Sequence, residues 1–143
     1  MKRFNIYLAG AMQGISYKES NIWRMEITTN LQNYASYRTK YNVDVINPNN
    51  YYNFSEVTYD SEREVMEFDL NKVRHSDLII VNFKHPQSLG TMAELAIAYE
   101  HRIPVIGLNE SGIKLHPWQI EMCNKIFADK NKLVNYVIDY YLN

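Results

Sequence analysis

A chain of 143 residues with 46% hydrophobic and 22% charged side chains has the composition of a packed globular protein, and it is too short for two domains of ordinary size, so one domain over residues 1–143 is expected. A formal charge of −1 offers no electrostatic footprint for phosphate backbones or anionic lipid, and no apolar run approaches membrane length, so neither a nucleic acid polymer nor a membrane is an expected partner. Cys123 is the single cysteine, which excludes an intrachain disulfide framework and a cysteine metal cluster; with no signal-peptide pattern after Met1, a reducing, cytoplasmic setting is expected.

In chain order, Asn5-Ile6-Tyr7-Leu8-Ala9 is short, apolar and bounded by Gly10, as a buried strand before a turn would be. From Tyr17 to about Tyr37, Ile22, Trp23, Met25, Ile27, Leu31 and Tyr34 recur mainly at three- and four-residue steps behind Ser16, a candidate N-cap, and predict an amphipathic helix. Val43 to Ile46 predicts a second strand, stopped by Asn47-Pro48-Asn49-Asn50, with a long loop to about Tyr59. Ser61 to His75 has helical spacing. Leu78-Ile79-Ile80-Val81 is a continuous β-branched run of the kind buried on both faces of a parallel sheet, ending near Phe83. Thr91 to His101 predicts another helix, Pro104 to Leu108 a fourth strand, and the remainder one or two helices, the last from Lys132 to Leu142.

Strands alternating with helices imply an α/β fold: a doubly wound, Rossmann/flavodoxin-like parallel sheet of about five strands flanked by helices. Ligands of such sheets sit at the carboxyl ends of the strands, so the loops after Ala9, Ile46 and Phe83 are where chemistry is expected.

Each of these loops has a plain and a functional reading. In Gly10-Ala11-Met12-Gln13-Gly14-Ile15-Ser16, two glycines between strand and helix let the backbone approach an anion, although neither the dinucleotide glycine fingerprint nor a Walker lysine is present. An ordinary glycine turn explains the stretch equally well. On the helix from Ser61, Val65 and Val73 with Met66 and Leu70 form the stripe expected to pack on the sheet, so Asp69 projects from an apolar face. Burial would raise its pKa toward the range of a general acid; the alternative is an aspartate capping a neighbouring loop. Thr91-Met92-Ala93-Glu94 matches a capping box, which explains such a glutamate more often than catalysis does. Its company shifts the balance: Gly90 before it, a buried strand behind it and Asp69 on the preceding helix. Near a helix N-terminus the dipole should keep Glu94 ionised, as a nucleophile requires.

Taken together, Tyr7-Leu8-Ala9-Gly10, Asp69 with Ser76-Asp77, and Ser88-Leu89-Gly90-Thr91-Met92-Ala93-Glu94-Leu95 resemble the nucleoside 2-deoxyribosyltransferase family and its relatives that hydrolyse nucleoside 5′-monophosphates. The likeness covers about residues 4 to 108. It implies Glu94 as a nucleophile attacking the anomeric carbon of the sugar, Asp69 as the acid that assists departure of the base, and Tyr7 as the residue orienting the nucleophile. Two carboxylates flanking a glycosidic bond, one ionised and one protonatable, are also what retaining glycoside cleavage needs. Where the transferase branch carries an aspartate six residues before the glutamate, this chain has Ser88, as the monophosphate-hydrolysing relatives do. A 5′-monophosphate is therefore the preferred substrate, held by Ser88, Gly90 and the loop from Gly10 to Gly14. An arginine in place of Gln13 would have pointed to phosphate more strongly.

The resemblance further implies a homodimer or higher assembly with shared active sites. His116 falls about where a neighbour's contribution would come, although a cap for the helix opened by Pro117 accounts for it as well. Asn47 and Asn49, after the second strand, could read a base edge or merely form a turn. The scattered histidines imply no metal, and no cofactor is expected. A module that binds or sequesters a nucleotide without turnover is the main rival reading. A phosphoribohydrolase is the third, disfavoured because Gln87-Ser88-Leu89-Gly90 lacks that group's extra glycines.

Overall fold

The computed structural model describes residues 2–51 and 59–143, leaving out the side chains of residues 35–38. Most of the loop expected between Asn50 and Tyr59 thus lies outside the described residues. Strand β1 (Lys2–Ala9) leads into helix α1 (Tyr17–Arg38), then β2 (Tyr41–Ile46) and a 3₁₀ turn (Pro48–Asn50). Helix α2 (Glu62–Arg74) precedes β3 (Leu78–Asn82), α3 (Leu89–Glu100) and β4 (Val105–Leu108). The chain closes with α4 (Pro117–Met122), β5 (Lys125–Phe127) and α5 (Lys130–Val137), whose last turn widens to π geometry over Ile138–Leu142.

All pairings are parallel and the strand order is β2-β1-β3-β4-β5, so the order reverses between β1 and β3. The fully buried run of β3 packs on both faces, as its sequence predicts. On one face Ile6, Leu8, Leu78, Ile80 and Ile106 meet α1 through Trp23, Ile27 and Leu31 and α5 through Leu133, Val134 and Val137. On the other, Tyr7, Ile79, Val81 and Val105 meet Val73 of α2 and Leu95 and Ala98 of α3.

Several boundaries and faces differ from expectation. In α1 only Trp23, Ile27 and Leu31 of the six apolar residues are buried; Ile22, Met25 and Tyr34 are about half exposed, because a single stripe of the helix reaches the sheet. In α2 only Val73 is buried, and Met66 is about half exposed. Strand β5 escapes a reading by periodicity because three residues hold no period; it is defined by its ladder to β4, Ile106 opposite Lys125 through Leu108 opposite Phe127. Helix α3 begins at Leu89, two residues before the expected Thr91, since the Ser88 side chain accepts from the Thr91 amide and takes the N-cap. Ser16 does cap the entry to α1, its hydroxyl accepting from the Glu19 amide at 3.1 Å.

Candidate active site

A cleft of about 1960 Å³ opens over the carboxyl ends of β1 and β3, at the point where the strand order reverses. The β1–α1 loop contributes Gly10, Met12, Gln13 and Gly14, the 3₁₀ turn Pro48 and Asn49, α2 the face of Glu62, Val65, Met66 and Asp69, and the start of α3 Ser88, Gly90 and Glu94. The α2 stripe expected on the sheet is therefore largely a wall of this cleft, and Asp69 stands on it half-buried.

Glu94 does not serve the capping box that its spacing suggests. With Ser88 as N-cap it is the sixth residue of α3, beyond reach of the cap amide, and its carboxyl accepts a short hydrogen bond from the Tyr7 hydroxyl. Tyr7 comes up from β1 on the α2/α3 face of the sheet, fully buried, and burial followed by the charge of Glu94 pushes its phenol well above the ordinary 10.0, so it stays a donor. The expectation that the helix dipole keeps Glu94 ionised is corrected. Burial pushes its carboxyl up to about 8; the Tyr7 bond pulls down, Asp69's charge pushes up further, and Arg24's charge pulls down. Dipole stabilisation fades beyond the first turn, which Glu94 has left, so desolvation wins.

The glycines of the first loop have different causes. A Cβ on Gly10 would lie 2.8 Å from Cζ2 of Trp23, so its missing side chain makes room for the helix beneath rather than for a ligand above. Gly14, with φ +80°, takes a left-handed turn at the cleft edge that an L side chain rarely adopts.

The sequence profile of the family described as "Nucleoside 2-deoxyribosyltransferase like" matches residues 3–111, most of the chain. The chain belongs to this family. No curated protein matches the sequence. Among solved structures, the fold is similar to a conserved protein from Enterococcus faecalis (TM-score 0.77, 16% identity, covering 96% of this chain and 98% of that one). It is also similar to a 2-deoxyribosyltransferase from Bacillus psychrosaccharolyticus (0.72, 20%, 92% and 91%) and a CMP N-glycosidase from Clostridium botulinum (0.62, 19%, 96% and 99%).

Of the candidate site residues singled out from the sequence, Asp69, Glu94, Gly10, Met12, Gln13, Gly14, Ser88 and Gly90 line one cleft, with Tyr7 bonded to Glu94. Three do not line it. Ala11 is turned inward, 9% exposed. Asn47 is buried; its Oδ1 accepts from the Asn49 amide and its Nδ2 donates to Asn21, which makes it the cap of the 3₁₀ turn. His116 caps α4: its Nδ1 accepts from the Trp118 amide at 3.1 Å, and Gln119 completes a capping box. Among the described residues, no three histidine, cysteine, aspartate or glutamate side chains gather as metal ligands, and no helix is long and apolar enough to cross a membrane.

Asn49, which the sequence offers together with Asn47, is buried on the cleft wall, whereas sequence reasoning missed Arg24 and Ser20, both buried and both on that wall. The signal for Arg24 was present, since a cation one turn after Ser20 and between Trp23 and Ile27 falls on the buried stripe of α1.

Proposed function

We propose that this chain cleaves the N-glycosidic bond of a (2′-deoxy)nucleoside, preferentially its 5′-monophosphate, passing the sugar to water or to another base. The whole chain acts as one catalytic domain, in a homodimer or larger assembly. The observation that carries this reading is Glu94 held by the Tyr7 hydroxyl in a cleft that Asp69 also lines. In the reaction the Glu94 carboxylate attacks the anomeric carbon while the carbon–nitrogen bond breaks, and Asp69 protonates or hydrogen-bonds the departing base. The glycosyl ester is then opened by water or a second base, with the first step's proton transfer run in reverse. Tyr7 orients the nucleophile and, as a donor, favours its ionised form.

The phosphate preference is supported by the start of α3. The Ser88 Oγ accepts from both the amide and the hydroxyl of Thr91, so its own proton is left to donate, and the first amides of a helix have no partner within it. Against this, Arg63 on the cleft wall is engaged by Glu67 at 2.9 Å and carries less weight as a phosphate ligand. One observation favours the rival reading of a nucleotide-sequestering module: a Glu94 that keeps its proton up to about pH 8 repels an anionic ligand less than two carboxylates would.

The test is a panel of nucleosides, deoxynucleosides and their 5′-monophosphates, with free base followed by chromatography. Base release is expected from the wild type, favouring monophosphates, and is expected to vanish in Glu94→Ala and Asp69→Asn. Base release by a folded Glu94→Ala would eliminate the glycosyl ester, and binding without release across the panel would establish the sequestering module.

A further inference from the structure

The turn between β3 and α3 delivers the chain to Ser88, with Pro86 and Gln87 as its central residues, and the Ser88 amide closes it by donating to the His85 carbonyl at 3.3 Å. Nε2 of Gln119, on α4, donates to the Pro86 carbonyl at 2.8 Å and to Sδ of Met92 in α3 at 3.2 Å, while its Oε1 accepts from the His116 amide at 2.8 Å. Both N–H donors and the oxygen of that side-chain amide are thus engaged, and at 4% exposure little water competes for them. Turning the amide over would set its oxygen against the Pro86 carbonyl, so the bonds fix its orientation. In a turn of this kind the peptide between the two central residues is the one that flips, and the flipped form needs a positive φ at the second of them. Gln87 has no positive φ, and the carbonyl Gln119 holds belongs to that peptide. On its other side the turn reaches Glu19 of α1 through His85 at 2.7 Å and Lys84 at 3.2 Å, but these are partly exposed ion pairs that salt screens. The buried tie is the one to α4.

We infer that Gln119 is a positioning residue for the phosphate end of the cleft: by holding the Pro86–Gln87 peptide and the first turn of α3 together, it sets the direction in which Ser88 and the first amides of α3 meet a 5′-phosphate. The inference rests on the phosphate preference proposed above. Ser88 and Gly90 line the cleft and Gln119 does not, so Gln119 acts through the turn rather than on the ligand. Its helix also lies beyond residue 111, where the family likeness stops, so a part of the chain outside that likeness shapes the site. Glu94 has a separate hold in the Tyr7 hydroxyl. Loss of Gln119 therefore weakens the grip on phosphate and spares the bond-breaking step.

The experiment compares the wild-type chain with Gln119→Met, which fills the same space without the hydrogen bonds, on the common deoxynucleosides and their 5′-monophosphates. Dissociation constants are read by calorimetry, KM and kcat from base release, and folding from thermal melts. Gln119→Met is expected to weaken binding of the monophosphates about tenfold and to raise their KM alike, as loss of one hydrogen bond to a charged group would, with kcat and the affinity for the unphosphorylated nucleosides within about twofold of wild type. A folded Gln119→Met with wild-type affinity for the monophosphates overturns the inference, and so does an equal loss for nucleosides and monophosphates, which a merely structural role would give. Should that variant not fold, the side-chain amide of Gln119 in the wild type decides: its proton–nitrogen NMR signals are expected to shift on adding a monophosphate and not on adding the nucleoside, and signals that the monophosphate leaves unmoved overturn the inference. A wild type that binds both ligands equally sinks the phosphate preference and this inference with it, whereas a preference that survives in Gln119→Met sinks the role of Gln119 alone.

Discussion

Glu94 keeps its proton in a range where an ordinary glutamate has lost it, and this sets opposing demands on stability and chemistry. Between the ordinary 4.5 and about 8 the unfolded chain has released this proton and the folded chain has not. Raising the pH through that window therefore favours unfolding, by an amount on the order of a few kcal/mol in total. Glu94→Gln keeps an acceptor for Tyr7 and removes the titration. Its melting temperature is expected to exceed that of the wild type by a margin that grows from about pH 5 to about pH 8, while base release is lost. A margin independent of pH in thermal melts would show that Glu94 titrates normally. Base release by the wild type should climb toward about pH 8, as the proton leaves the nucleophile.

At the scale of elements, the long periodic segments were legible. The run Leu78 to Val81, the helical spacing after Tyr17 and after Ser61, and the strand before Gly10 all lie where local pattern places them, because burial on a sheet imposes those periods. The start of α3 was not, since Thr91-x-x-Glu94 satisfies a capping pattern that Ser88, three residues earlier, pre-empts. That shift of register frees Glu94 for Tyr7. The turn between β1 and α1 offers a direct test of packing. Gly10→Ala places a methyl 2.8 Å from the Trp23 ring and 3.4 Å from Nη2 of Arg24, and is expected to cost about 1–3 kcal/mol in urea unfolding. Gly90→Ala meets no atom within 4 Å and sits inside a helix, so it is expected to be neutral or to stabilise by up to about 1 kcal/mol. Equal costs at the two positions would refute the packing account.

Across the whole molecule, the family likeness stops at residue 111, but the core does not. Leu133, Val137, Ile138 and Leu142 are fully buried on the α1 face of the sheet, in contact with the cluster that holds Ile27 and Leu31. Leu133→Ala is expected to cost about 2–5 kcal/mol in chemical unfolding, as a core truncation does; a cost below about 1 kcal/mol would mean that α5 is not part of the cooperative core. The sequence alone determined the parallel α/β architecture and singled out Asp69 and Glu94, because periodicity, strand composition and motif spacing are local properties of the chain; Tyr7 came only with the family resemblance. Tertiary structure decided the rest. Tyr7 meets Glu94 across 87 positions of sequence, and Arg24 reaches the Gly10 carbonyl only because α1 packs against the end of β1. The proton affinity of Glu94 likewise depends on how completely packed neighbours strip it of water, and no spacing of residues encodes that.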